Sequence, residues 1–469
     1  MQDAAYASLL RDRRRAIHLR LAETLEHDGT EPQLVAWHFA EGGEPDKSSI
    51  YYLKAAELAT GRYALVEIVG HLRNGLRQIA QLAESSDKQH RELVLQVALG
   101  RALIDHLGSG SEAVRETFER ARELCLALDE VQLLPRIYDG LMLNYHFTHS
   151  QPQKMLDYAR EMIAVHQRTN NRQALLMARR AGGLANLLLG RFTNAREEMQ
   201  VVIDMYDPEH DTPSTGVSTR DPKVSICTVQ GACLTILGYP QSGAAMSLAG
   251  VTHAQTLDHP ISLILGLRRA CLQAMVERNV ERVAQLADRL LEVVSAYETF
   301  KGGLEGAIFH DWATLQRRPD QAAKERIQDS LHKFDSVGNW ALLPFHMASA
   351  AQLVGEHGDV ATAMSLLQRA AELVGVTGER WCEPEILRLQ GRLGDRDTAD
   401  AVLRQSLARA KEQGARLWEL RTATSLAELW REHGNPSAAR ELLTPIYDSF
   451  PEKGSAADVV AARDLLDAL

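Results

Sequence analysis

The stretch Ala423-Thr-Ser-Leu-Ala427-Glu-Leu-Trp430-Arg-Glu-His-Gly434-Asn-Pro-Ser-Ala438-Ala439 decides the fold. Ala423, Leu426, Ala427 and Trp430 recur at helical spacing and define one face of a helix. Gly434 closes that helix, because the turn needs a residue free to take positive φ. Ala438 and Ala439 then open a second helix. Two helices joined this tightly touch only if small residues sit where they cross, and Ala427 and Ala439 are small. The segment reads as a helical hairpin.

The same hairpin recurs along the chain. A Gly or polar residue is followed five positions later by a small or apolar residue, and seven later by another. Gly190, Ala195 and Val202 show it, as do Gly358, Ala363 and Ala370, then Gly394, Ala399 and Ser406, then Gly434, Ala439 and Ile446. Weaker copies start at Ser150, Gly238, Arg278 and Arg318. The anchors 150, 190, 238, 278, 318, 358, 394 and 434 are spaced 40, 48, 40, 40, 40, 36 and 40 residues apart. The 36-residue step lacks about one helical turn, expected in the helix around Arg388 to Leu393. The 48-residue step contains the turn-rich loop Asp207-Pro-Glu-His-Asp-Thr-Pro-Ser-Thr-Gly216. In the last repeat, the bulky, Leu, small and aromatic positions match the tetratricopeptide pattern, while armadillo and HEAT repeats of similar length differ in helix count and kink. The expected fold is all-α: tetratricopeptide-like helical-hairpin repeats, period about 40, stacked into a right-handed superhelix. Because repeats couple mainly to their neighbours, damage at Ala427 is expected to stay near residues 377–469.

Composition agrees and excludes other classes. Of 469 residues, 45% are hydrophobic and 24% charged, an ordinary balance for a folded chain rather than a disordered one. No run of alternating β-branched and polar residues reads as a strand. With 52 basic and 62 acidic residues the net charge is −10, which argues against broad nucleic-acid or anionic-membrane binding. Cys125, Cys227, Cys233, Cys271 and Cys382 are odd in number and lack CxxC spacing, as expected of free thiols in a reducing compartment. With no apolar leader in the first residues and no stretch able to span a bilayer, a cytoplasmic protein is expected.

Four stretches carry a resemblance. They are Gln2-Asp-Ala-Ala-Tyr-Ala-Ser-Leu-Leu-Arg11 with Arg13, Arg14 and Arg15; Asp221-Pro-Lys-Val224 leading to Leu237-Gly-Tyr-Pro240; Thr377-Gly-Glu-Arg-Trp381 leading to Glu385-Ile-Leu-Arg-Leu-Gln-Gly391; and Gln413-Gly-Ala-Arg-Leu-Trp-Glu-Leu-Arg421 leading to Leu443-Thr-Pro-Ile-Tyr447. In order and spacing the chain resembles the C-terminal tetratricopeptide region of bacterial class III adenylate/guanylate cyclase–STAND ATPase signalling proteins. The resemblance implies that residues 1–28 correspond to the end of the linker after the ATPase, and 29–469 to the repeat superhelix. Because Met1 immediately precedes the first stretch, it also implies a regulatory arm without the cyclase and ATPase domains. Similar helical arms in maltotriose-responsive transcription activators bind the inducer, so a small-molecule effector in the groove is the second reading.

Catalytic motifs do not appear. A P-loop needs GxxxxGK[ST], and the dipeptide Gly-Lys does not occur in this chain. No enzymatic activity, metal or cofactor is expected. Gly108-Ser-Gly-Ser111 reads as a helix start with Ser111 as N-cap rather than an anion site. His146 and His149 lack the further ligands of a metal site. The six tryptophans, Trp37, Trp312, Trp340, Trp381, Trp418 and Trp430, read mainly as wedges between hairpins.

Two surfaces remain as candidate protein-binding sites. Arg11, Arg13, Arg14, Arg15 and Arg20 form the densest basic cluster, suited to an acidic partner such as the ATPase of the family; the apolar row Tyr6, Leu10, Ile17 and Leu21 of the same helix is expected to pack on the array. In the last repeat, Arg421, Thr424, Glu428 and Arg431 are expected on the concave side, free to grip an extended peptide or an acidic group.

Overall fold

The computed structural model describes residues 11–62, 64–147, 150–212, 220–297, 300–338 and 340–469. Among them are 23 helices and no strand. The chain divides into two compact units, Met1–Asn144 and Tyr145–Leu469.

The first unit contains α1 (Arg11–His27), α2 (Pro32–Gly42), α3 (Pro45–Thr60), α4 (Leu65–Ile79), α5 (Ser86–Leu107), α6 (Glu112–Ala127) and most of α7 (Leu134–Phe147). Ala22 of α1 and Val35 and Phe39 of α2 make the first core, with Leu19, Leu25 and Tyr51 against it. Residue 28 lies in the short connection between these two packed helices. Further along, Phe118 of α6 lies between Gly100 of α5 and Gly140 of α7; a Cβ on either glycine would come within 2.6 and 2.2 Å of the ring. Asn144 ties the same turn down, donating to the carbonyls of Ser109 and Ser111 at 2.8 and 2.9 Å. Gly108-Ser-Gly-Ser111 is thus a helix start bound to its neighbour.

The second unit follows with α8 (Pro152–Thr169), α9 (Arg172–Leu188), α10 (Phe192–Met205), α11 (Pro222–Ile236), α12 (Pro240–Thr256), α13 (Pro260–Val276), α14 (Val280–Ala296), α15 (Phe300–Arg317), α16 (Gln321–Ser336), α17 (Leu343–Glu356), α18 (Val360–Thr377), α19 (Glu383–Leu393), α20 (Arg396–Gln413), α21 (Arg416–Glu432), α22 (Pro436–Asp448) and α23 (Ala457–Ala468). Sequential helices pack as hairpins, and alternate helices α9, α11, α13, α15, α17, α19 and α21 also touch one another.

One turn builds these hairpins. Six of the eight anchors read from the sequence have positive φ: Ser150 39°, Gly190 74°, Gly238 96°, Arg278 60°, Gly358 91° and Gly434 77°. At five of these six the N–H after the left-handed residue donates five residues back: Arg191 to Asn186 (2.8 Å), Tyr239 to Leu234 (2.9 Å), Asn279 to Ala274 (2.9 Å), Asp359 to Val354 (3.1 Å) and Asn435 to Trp430 (2.8 Å); after Ser150, Gln151 donates six back, to Tyr145 (2.8 Å). This is the bond that satisfies orphan carbonyls at a helix end. Asn171, Asp221, Asn279, Asp320, Asp359, Asp395 and Asn435 then cap the next helix by accepting from its first-turn N–H groups. The short 36-residue step falls where expected, since α19 has 11 residues against 17 in α21.

The second unit departs from a neighbour-only stack. The carbonyl of Leu188, at the end of α9, accepts from the N–H groups of Arg380 (2.7 Å) and Trp381 (3.1 Å). Gly238 O accepts from Glu452 N at 3.2 Å. The Glu452 carboxylate in turn takes Gln241 N–H at 2.8 Å, across 211 residues, and the Ser242 hydroxyl. α11 also touches α21. Early and late helices of this unit are therefore in direct contact, which corrects the expectation that repeats touch only their sequence neighbours. Ala427 is fully buried between hairpins. Ala427→Trp should cost about 1–3 kcal/mol by overpacking, read as a lower denaturation midpoint at unchanged slope; wild-type stability would show that no tight crossing exists there.

Candidate functional site

The basic cluster lies on α1. Arg11, Arg13, Arg15 and Arg20 are exposed and Arg14 is half-buried. The apolar row of the same helix is not where it was expected. Tyr6 and Leu10 lie outside the described residues, and Ile17 and Leu21 are 42% and 43% exposed. The helix turns His18 and Ala22 inward instead, so the adjoining positions face out. Leu34 and Trp37 of α2, both 46% exposed, carry a second apolar row. His18 joins the two helices, edge-on to Trp37 with ring centres 5.1 Å apart and Nδ1 to Nδ1 of His38 at 2.9 Å. Trp37 is thus a surface residue, whereas Trp312, Trp381 and Trp418 are core wedges as expected.

The candidate set on the last repeat divides. Glu428 is half-buried with Arg392 Nη1 at 3.6 Å, and Arg431 is exposed. Thr424 is buried and donates to Leu420 O at 2.8 Å. Arg421 is buried and fully engaged. Its Nε donates to Asp458 Oδ1 (2.8 Å), Nη1 to Glu385 Oε1 (3.1 Å) and Nη2 to Val276 O (2.9 Å), a carbonyl 145 residues away. Its guanidinium lies 4.8 Å from the Trp418 ring centre. Arg421 therefore clamps α13, α19 and α23 together and offers nothing to an extended peptide, because its donors are committed inside.

Sequence reading missed the partners of Arg421. Arg388, one turn after Glu385 on α19, makes a forked pair with it at 2.8 and 2.9 Å and donates to Ser425 Oγ at 3.1 Å. Arg278, in the turn after α13, reaches Asp458 (3.0 Å), Gln352 (3.0 Å) and Glu385 (3.4 Å). Burial would raise the Glu385 carboxyl, but Arg388 and Arg421 hold it well below the usual carboxylate range. The Asp458 carboxyl is held low in the same way, against burial, by Arg421 and Arg278. A cavity of about 240 Å³ opens beside this network, lined by Arg278, Trp312, Phe345, Ser349 and Gln352 among others. The signal was present in Glu385-x-x-Arg388, two opposite charges one turn apart in an otherwise apolar register.

A second buried polar group lies deeper. Arg268 pairs with Glu305 (Nε to Oε2 2.6 Å), and His346 Nε2 stands 3.3 Å from the other Glu305 oxygen. Arg269 Nη2 meets His146 Nε2 at 2.7 Å. Burial, then the charges of Arg269 and Arg268, pushes His146 well below its ordinary range. His149 lies outside the described residues, and no group of three metal-ligating side chains occurs among those described. Glu379 is fully buried, accepting from the Ser150 hydroxyl and from Leu342 N–H at 3.1 Å, which secures Leu342 in a left-handed turn. All five cysteines are buried and free. Burial pushes Cys125 and Cys233 up to about 12, so neither is a reactive thiolate.

No family model matches the chain. It is 23% identical over 446 residues to an uncharacterized protein of Rhizobium meliloti (strain 1021), covering 92% of this chain and 43% of that protein. The chain thus spans less than half the length of the curated relative it matches. Among solved structures it is similar to a Rap protein complexed with competence and sporulation factor, with 9% identity, TM-score 0.50, and 86% of this chain and 99% of that chain covered. It is also similar to yeast Tom70, with 10% identity, TM-score 0.35, and coverage of 98% and 96%. These likenesses are of fold. The chain is an all-α protein of tetratricopeptide-like helical-hairpin repeats, and no helix among the described residues is long and apolar enough to cross a membrane.

Glu379 gives a pH test. Burial raises its carboxyl from 4.5 to about 7, against the opposing hydrogen bonds from Ser150 and Leu342. A carboxyl raised on folding stabilises fully below its unfolded pKa, and that contribution is lost as pH rises through the folded value. Glu379→Gln should therefore be more stable than wild type at pH 8 by on the order of 3 kcal/mol, with little difference at pH 4. Urea melts at both pH values check this; a constant difference would show that Glu379 does not titrate there.

Proposed function

We propose that this protein is a non-enzymatic, cytoplasmic tetratricopeptide-like scaffold that binds another protein in bacterial signalling, and that its partner surface is the outer face of the first hairpin. The observation that carries this reading is the pairing of two kinds of exposed residue on α1 and α2. Ile17, Leu21, Leu34 and Trp37 supply apolar contact, and Arg11, Arg13, Arg15 and Arg20 supply exposed positive charge on a chain of net charge −10. Repeat arrays bury their apolar sides only against the next unit, so such a face suits a further packed module. An aromatic anchor rimmed by arginines is the composition of protein interfaces. Charge complementarity selects an acidic protein surface, and the family resemblance nominates the STAND ATPase or cyclase domain. The greater length of the Rhizobium relative leaves room for such domains in that protein. Arg431 and Glu428 on the last repeat are secondary contact candidates.

Exposed ion pairs contribute about 0–1 kcal/mol each, so several must act together, and screening by salt must weaken them. With a family ATPase domain as partner, Arg11, Arg13, Arg15 and Arg20 all changed to Glu should lower affinity at least tenfold at low salt and remove most of the salt dependence. Trp37→Ala should lower affinity at both salt concentrations. Unchanged binding by the quadruple variant would overturn the docking role of the cluster.

A further inference from the structure

The second unit places three guanidiniums against two carboxylates beside a cavity. Arg278, Arg388 and Arg421 face Glu385 and Asp458. The arrangement carries one positive charge in excess, and buried charge is costly unless it is paired. Arg388 and Arg421 are spent on their partners in close, multiple bonds. The excess therefore resides at Arg278, whose side chain is 27% exposed and which lines the cavity. It shares Asp458, at 3.0 Å, with Arg421, which holds the same oxygen at 2.8 Å, and its bond to Glu385 is long, at 3.4 Å. Burial, followed by repulsion from Arg421, lowers its guanidinium to about 10, in keeping with incomplete compensation.

The backbone at Arg278 supplies an independent observation. Its φ is 60°, in the left-handed position that Gly190, Gly238, Gly358 and Gly434 fill in the equivalent turns. A side chain there is strained, and glycine would relieve the strain. An arginine at the one such turn that borders the cavity points to a use for its side chain beyond closing the helix.

The cavity walls define the rest of a ligand. Trp312, Phe345 and Met275 give it an apolar side, and Gln316, Ser349 and Gln352 give polar groups; Glu385 and Arg421 also line it, but they are bonded to each other. Phe345 is backed by Trp381 and Trp418, with ring centres 4.9 and 6.3 Å away, so the apolar wall is rigid. Gln316 and Ala457 are exposed and mark the mouth. About 240 Å³ holds roughly eight water molecules, the size of a small aryl or alkyl acid and too little for a peptide.

We propose that this cavity is a binding site for a small organic monocarboxylate, whose carboxylate pairs with Arg278 and whose apolar body packs against Trp312, Phe345 and Met275. Arginine's planar fork matches a carboxylate with two parallel hydrogen bonds. The bound anion would balance the excess charge. The site is separate from the α1–α2 face, and a failure of either reading leaves the other intact.

The full chain is titrated by calorimetry with phenylacetate, benzoate and hexanoate, and with the neutral phenylacetamide. At least one acid should bind saturably, and phenylacetate at least tenfold tighter than its amide. In Arg278→Gly the preference for the acid should vanish while the melting temperature is unchanged or higher, because strain is relieved and two guanidiniums remain for two carboxylates. Ser349→Leu, which fills the cavity without touching the charges, should weaken the acid and the amide alike. The proposal is overturned if none of the acids binds, if acid and amide bind equally to wild type, or if Arg278→Gly lowers the melting temperature yet binds the acid normally. Should Arg278→Gly not fold, unaltered acid binding by Ser349→Leu would overturn it by itself.

Discussion

The carbonyl of Leu188, accepting two backbone N–H groups from Arg380 and Trp381, is the contact on which the second unit depends. The last carbonyls of a helix have no partner within it. The next turn of chain takes the carbonyls of Ala185, Asn186 and Leu187, but the partner of Leu188 is the loop that enters α19. This brings Ser150 to Glu379, 229 residues apart, and Trp418 Nε1 to the carbonyl of Trp381. A stack of hairpins becomes a closed unit, in which early and late repeats share a core.

Closure changes what the inner helices can contain. In an open array, polar side chains on the inward face meet water. Here Arg421, Glu385, Arg388 and Asp458 are removed from it, and they persist because each charge has a partner of opposite sign. Breaking one pair would leave the other charge buried and uncompensated. The network therefore holds α13, α19, α21 and α23 in register more than it adds net stability. Within this network the charge fails to balance at Arg278, and there the cavity lies open.

The hairpin turns were legible in the sequence because their chemistry is local. A left-handed residue and a bond five residues back need only the neighbouring chain, so Gly190, Gly238, Gly358 and Gly434 declared themselves, and even Ser150 and Arg278 kept the spacing. Which face of α1 is buried was not legible. Ile17 and Leu21 look like a core row, but the partner helix presents Val35 and Phe39 to Ala22, and burial follows the partner. Arg421 was misplaced for the same kind of reason. Tetratricopeptide geometry aims it inward, yet the groups waiting there, Asp458 and the Val276 carbonyl, belong to distant segments that no periodicity announces.

Native-state hydrogen exchange in graded denaturant tests this closure most directly. If early and late repeats share one core, the slowest amides of α9 and α11 and those of α19 and α21 open together, with one free energy and one denaturant dependence. A ladder of opening energies falling steadily from the middle of the second unit toward Leu469, with α21 released well before α9, would contradict it and leave an ordinary stack of neighbours.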